Sequence, residues 1–199
     1  MTRKAHVKRE TTETTIELDL TLDGTGQADI DTGVGFLDHL LAALTRHSGF
    51  DLVLRCTGDL EIDDHHTVED CGIALGAALD EALGDRRGIT RFGSAYAPLD
   101  EALARAVVDI SGRGGAFVDL DLRRESIGLL STENIPHFLG SLARTAAITL
   151  HVDMLKGEND HHRAEAAFKA LALALGQAIA ETGRSDIPST KGVIDGGGR

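Results

Sequence analysis

Tryptophan is missing from the 199-residue sequence, tyrosine occurs once, and aromatic residues make up 4% of the chain. A stacking platform for nucleic-acid bases is therefore not available as an organising feature. Positive charge is also scarce, with 20 Lys and Arg against 32 Asp and Glu for a formal net charge of -12. That balance disfavours a non-specific grip on a phosphate backbone or on anionic lipid. Cysteine is limited to Cys56 and Cys71, neither in a Cys-x-x-Cys pair. Two thiols cannot build a disulfide framework, and both are expected to be reduced packing residues. No apolar run approaches the ~20 residues that a bilayer crossing needs, and residues 1–15 are polar. The expectation is a globular, cytoplasmic chain of one domain or two small ones, with neither nucleic acid nor membrane as partner.

Histidine is what the sequence has in plenty, with nine residues, four of them in two adjacent pairs. The pairs belong to an internal repeat. DDHHTVEDCGIALGAAL, starting at Asp63, aligns with NDHHRAEAAFKALALAL, starting at Asn159, and sets His65 on His161 and Glu69 on Glu165 at a spacing of 96. Upstream, FLDHLLAALTRHSGFDLVL matches NIPHFLGSLARTAAITLHV, with His39 above His137 at a spacing of 98.

Periodicity repeats with the motifs. Residues 16–22 alternate apolar and polar as a half-buried strand does, and a glycine turn leads to a second strand at 28–31. Residues 104–111 and 116–122 repeat that hairpin across Gly112-Arg113-Gly114-Gly115. Each hairpin leads to an apolar helix (35–47 and 132–146), a strand (50–56 and 147–152) and the helix opened by the paired histidines. The prediction is an α+β fold of duplicated β-β-α-β-α halves, with antiparallel or mixed sheets packed by helices. Residues 1–90 form the first half and the start of a linker, and 91–199 the second half plus a tail, as one pseudo-symmetric unit. The tail has the glycine and polarity of a mobile end.

The doubled His-His-x-x-Glu carries the strongest chemical signal. Residues four apart on a helix lie about 40° from each other around its axis, so His65 shares a face with Glu69, and His161 with Glu165. The adjacent His66 and His162 point about 100° away and can reach a different ion. With His39 and His137 the set comes to six histidines and two glutamates, four donors for each of two ions. Imidazole and carboxylate without thiolate suit Mn, Fe, Co or Zn. The plain alternative, histidines that merely line a helix start, is hard to reconcile with eight matched residues. His6, His47 and His151 have no counterpart in the repeat and read as surface or core residues.

A second group suits an anion: Arg91 in the linker, Arg113 in the glycine-rich turn, and Ser189, Thr190 and Lys191 in the tail. In an acidic chain such a local group favours a small phosphorylated ligand, although exposed Arg and Lys are usually just solvated. Glu13, before the first strand, is a possible site carboxylate or a polar strand flank. Asp100 and Glu101 read as capping residues of a short helical turn.

Taken together, GFLDHLLAAL, DDHHTVEDCGIALG, HHRAEAAFKALALAL and the PSTKG tail resemble imidazoleglycerol-phosphate dehydratases, enzymes of histidine biosynthesis, from about Arg9 to Gly192. No phosphatase domain of the kind fused to some relatives is found, so the expectation is the dehydratase alone. The resemblance implies dehydration of D-erythro-imidazole glycerol phosphate to imidazole acetol phosphate through a metal-bound imidazolate and a diazafulvene-like intermediate. It selects manganese, two Mn2+ per active site, on the six histidines and two glutamates. It further implies an octahedral homo-oligomeric 24-mer with active sites where subunits meet, and substrate contacts at Glu13, Arg91, Arg113 and residues 189–191. Glu165, or its counterpart Glu69, is the expected base, with Glu13 as an alternative proton carrier. A two-metal hydrolase and a metal-storage shell are the competing functions.

Overall fold

A computed structural model describes residues 3–194. The first half runs β1 (Lys4–Glu10), β2 (Thr14–Thr21), β3 (Ala28–Asp31), α1 (Gly35–Ser48), β4 (Asp51–Gly58) and α2 (His65–Leu83). The second runs β5 (Phe92–Leu99), β6 (Ala102–Asp109), β7 (Gly115–Asp119), the short pair β8 (Ser126–Ile127) and β9 (Leu130–Ser131), α3 (Asn134–Thr145), β10 (Thr149–Lys156) and α4 (Asp160–Ile179). The duplicated α+β fold is as the sequence indicates, and each half gains a leading strand, β1 or β5. The segment read as a linker therefore contains β5.

The sheets are orders β1-β2-β4-β3 and β5-β6-β10-β7, the same topology twice. Neither of the predicted hairpins forms. β4 lies between β2 and β3 and pairs with β3 in parallel, and β10 separates β6 from β7 in the same way. A strand that follows β2 in sequence is carried past it because the helix α1 must return the chain for β4 to enter between them. Ile16, Leu18 and Leu20 are buried on one face of β2 while Glu17 and Asp19 face solvent, as period-two alternation requires.

The helices lie between the sheets. α1 and α2 cover the first sheet and α3 and α4 the second, and the layers meet with α1 against α4 and α2 against α3. The α2–α3 approach depends on two glycines one turn apart. A Cβ at Gly72 would stand 2.8 Å from the Phe138 carbonyl oxygen, and one at Gly76 would stand 2.7 Å from that of Leu142. Phe138 and Phe168 fill the centre, their rings 6.0 Å apart. Cys56 and Cys71 are free and buried, as packing residues should be. His6, His47 and His151 are all exposed.

Candidate metal and substrate centre

Both histidine pairs open a helix, and the same local device holds each of them. Asp63 accepts a hydrogen bond from the His65 backbone N–H at 2.8 Å, and Asn159 accepts one from that of His161 at 2.9 Å. The following aspartates are buried anchors. Asp64 accepts from the Ser131 backbone N–H and hydroxyl, and Asp160 from the backbone N–H groups of Arg123 and Arg124. The segment from Arg123 to Ser131 is thereby tied to the starts of both α2 and α4, which draws the two helix N-termini to one side of the molecule.

Among the described residues two three-donor sets result, and each draws on both halves. His39 of α1 joins His161 and Glu165 of α4, and His137 of α3 joins His65 and Glu69 of α2, with one donor atom per residue and all within 4.8 Å of one another in each set. In the first, the His39 Nε2 stands 2.9 Å and the His161 Nε2 3.3 Å from Glu165 Oε2. In the second, the His137 Nε2 is 3.3 Å and the His65 Nε2 3.6 Å from Glu69. Among the described residues the buried His137 Nε2 has no hydrogen-bond partner beyond its ionic contact with Glu69, a cost that a coordinated cation would remove. The donors of both sets fit a divalent ion of borderline to hard character.

His66 and His162 join neither set. The His66 Nδ1 lies 3.0 Å from Asp59 Oδ2, and the His162 Nδ1 lies 2.8 Å from Glu101 Oε2. Both rings have raised pKa values, chiefly from those hydrogen bonds. Glu101 in turn is held at about 2, first by the Asn159 backbone N–H, then by His162 and the Glu158 backbone N–H. Asp100 and Glu101 do not cap a helical turn. They form the β5–β6 hairpin turn, with Asp100 at φ +48°, and Glu101 faces the α4 N-terminus.

Around Glu165, burial alone would raise the carboxyl pKa, but hydrogen bonds from Lys169 and His39 and their charges outweigh it and hold the group at about 2. Lys169, 2.7 Å from Glu165 Oε1, escaped the sequence reading although its i, i+4 spacing from Glu165 marks it. Asn134, at 3.1 Å from the His65 Nδ1, had no such signal. Glu13 is half-exposed, its carboxylate 3.7 Å from the His66 Nε2.

Of the residues expected to meet an anion, Arg91 and the tail lie at the other end of α4. The Arg91 backbone N–H donates to the Ala178 carbonyl, and its guanidinium donates to Asp109 and to the Pro188 carbonyl. The tail is so drawn beside β5, where the Lys191 backbone N–H donates to the Ser189 hydroxyl at 3.2 Å and Thr190 is exposed. Arg113 is exposed, and its backbone N–H donates to Ser111. It does not occupy a hairpin turn but the connection from β6 to β7. A cleft of about 340 Å³ lined by Gly114, Gly115, Pro136, His137, Gly140 and Arg144 runs from beside Arg113 to the second donor set. The glycines at 196–198, expected to loosen the tail, lie outside the described residues. Among the described residues no helix is long and apolar enough to cross a membrane.

The scaffold is shared with solved dehydratases. The structure is similar to imidazoleglycerol-phosphate dehydratase from Staphylococcus aureus, with a TM-score of 0.81 and 38% identity over 90% of this chain and 99% of that one. It is equally similar to the Pyrococcus furiosus protein solved in complex with (S)-C348, with a TM-score of 0.82 and 39% identity over 94% and 100% of the two chains. These define the class as hydro-lyase. The imidazoleglycerol-phosphate dehydratase family model matches residues 32–175. Relatives of that name from Candida glabrata and Saccharomyces cerevisiae are 60% and 53% identical, each over 96% of this chain and over 99% and 98% of their own lengths. The chain belongs to the imidazoleglycerol-phosphate dehydratase family.

Proposed function

We propose that this chain dehydrates D-erythro-imidazole glycerol phosphate to imidazole acetol phosphate in histidine biosynthesis, in the cytoplasm, with two Mn2+ per active site. The observation that carries the metal reading is the pair of His₂Glu sets, one with a buried His137 Nε2 that has only its ionic contact with Glu69 among the described residues. His39, His161 and Glu165 would hold one ion and His65, His137 and Glu69 the other, with His66 and His162 as the further ligand of each from a neighbouring copy. The chemistry supplied by such ions is Lewis acidity toward the nitrogens of the substrate's imidazole ring.

The protein's own contribution is orientation and proton transfer. Arg91, Arg113, Ser189, Thr190 and Lys191 would bind the phosphate, Arg113 and Lys191 being exposed and Arg91 holding the tail in register. Fixing the phosphate fixes the carbon chain and so the carbon that loses its proton. The base must be a carboxylate with an oxygen free to reach that carbon. Glu69 and Glu165 are turned to histidines, and Glu165 has its second oxygen on Lys169. These contacts support Glu13 as the proton carrier, with Glu165 and Glu69 chiefly as ligands.

One chain cannot bring both groups to one small substrate at the first donor set. Arg91 sits on Ala178, seventeen residues along α4 from His161, or about 25 Å at the helical rise. That separation supports a homo-oligomer with active sites between copies, for which the octahedral 24-mer is the proposed form. Residues 1–90 and 91–199 would then serve as the halves of one compact unit, consistent with their interlocked helices. The test is ketone formation from imidazole glycerol phosphate by chelator-stripped protein with Mn2+ restored stepwise. Activity that saturates near two ions per chain is expected, and folded protein without turnover at any metal level would refute the assignment.

A further inference from the structure

We infer that Asp59 and Glu101 are positioning residues that hold His66 and His162 in the tautomer whose Nε2 faces outward as a donor, before any ion or neighbouring copy arrives. The inference rests on the ligand reading above and extends it to residues that reading does not use. An ionised carboxylate only accepts hydrogen bonds, so the ring nitrogen facing it must carry the proton. Asp59 takes the His66 Nδ1–H at 3.0 Å and Glu101 takes the His162 Nδ1–H at 2.8 Å. In the neutral ring the lone pair is then on Nε2. Among the described residues both Nε2 atoms lack a hydrogen-bond acceptor at normal range, since the nearest acids, Glu13 and Asp100, stand at 3.7 and 3.9 Å.

The Glu101 carboxylate is itself held, and the loop that carries Asp59 is fixed through its backbone. Glu101 Oε1 accepts from the backbone N–H groups of Glu158 at 3.1 Å and Asn159 at 2.9 Å, and Asn159 caps α4 through His161. The Asp59 backbone N–H donates to the Glu13 carbonyl, and the Asp59 carbonyl accepts from the Ile62 N–H. The origin of the pair argues against an accident of duplication. Asp59 comes from the β4–α2 loop, and the residue 96 positions later is Leu155; Glu101 comes from the β5–β6 turn. A copied accident would recur at matching positions, whereas here the same hydrogen bond is made in each half by an unrelated residue. A carboxylate on the far nitrogen of a ligating histidine fixes the ring and raises its basicity, and its loss typically costs 10–100-fold in metal affinity.

Glu101→Gln and Asp59→Asn test this. The amide oxygen introduced at position 101 can keep the loop N–H bonds while the amide NH₂ faces Nδ1, so the ring must accept there and carry its proton on Nε2. Solid-state 15N spectra of histidine-labelled, metal-free protein, taken where the rings are neutral, report the tautomer directly, and competition with a chromophoric chelator reports Mn2+ affinity. In Glu101→Gln the His162 ring is expected to move from Nδ1–H to Nε2–H, and in both variants the loss of the carboxylate charge is expected to lower affinity about 10–100-fold with melting behaviour little changed. An unaltered His162 tautomer in Glu101→Gln, or unaltered affinity in either variant, would overturn the inference. Wild-type protein that shows the Nδ1–H tautomer but binds no Mn2+ would instead overturn the ligand reading. Should one variant fail to fold, the other carries the test, because the two carboxylates lie on different loops.

Discussion

His39, on the first half's opening helix, has its Nε2 2.9 Å from Glu165 Oε2 on the last helix of the second half. The mirror relationship joins His137 to Glu69. Each donor set is therefore assembled only when the two halves pack. Removing one donor from one set leaves the other set intact, so His39→Ala is expected to take up about half the Mn2+ of the wild type after gel filtration, read by elemental analysis. Equal metal content in the two proteins would disprove independent sets.

The distance along α4 between His161 and the Arg91 contact leads to a complementation experiment. His39→Ala lacks a donor set and Arg91→Ala lacks part of the phosphate grip, and each alone is expected to be nearly inactive. Stripped of metal, mixed and reloaded, they would form junctions at which one chain gives the donor set and the other the arginine. A measurable fraction of wild-type turnover should return in the mixture. A mixture no more active than its components would place each active site within one chain.

Gly76 gives a packing test that is independent of catalysis. A methyl group there would lie 2.7 Å from the Leu142 carbonyl oxygen and 2.8 Å from the Thr145 Cβ, so α3 must move. Gly76→Ala is expected to destabilise by about 1–3 kcal/mol, the usual range for overpacking, seen in urea unfolding of metal-free protein. Because α3 carries His137, Mn2+ affinity at the second set should fall as well. Unchanged stability would mean that the helices have room the geometry denies.

Acid should expose the depressed carboxyls. Glu165 and Glu101 are both held at about 2 in the folded chain against an ordinary value of 4.5. A carboxyl whose pKa is lowered on folding adds stability that is fully present above its unfolded value and is lost as pH falls through its folded one. Metal-free protein is thus expected to lose stability from about pH 4.5 down to about 2, and Glu165→Gln to lose less over the same window. Parallel stability curves for the two proteins would show that Glu165 is not depressed.

The donor residues and the duplication were legible in the sequence because they rest on local rules. A helix sets the face shared by His65 and Glu69, and two copies of one motif betray a repeat whatever the fold does with them. β1 and β5 were not legible. β5 buries Gly93, Ala95 and Ala97, residues too small to give an alternating signal, and they are small because α4 lies against them: a Cβ at Gly93 would sit 1.8 Å from the Ala174 carbonyl oxygen. Strand order escaped for a related reason, since hydrogen bonds between strands depend on where the helices return the chain rather than on which strand comes next.

The sequence alone determined that six histidines and two glutamates recur in two matched motifs and that the fold is a doubled α+β unit. Tertiary structure alone decided that His39 belongs with Glu165 and His137 with Glu69, that His66 and His162 stand apart on Asp59 and Glu101, and that Arg91 lies at the far end of α4. The physical reason is range. Helical spacing and capping act over a few residues and can be read along the chain, whereas these partnerships join residues up to 126 positions apart and exist only after two layers of helices have packed between two sheets.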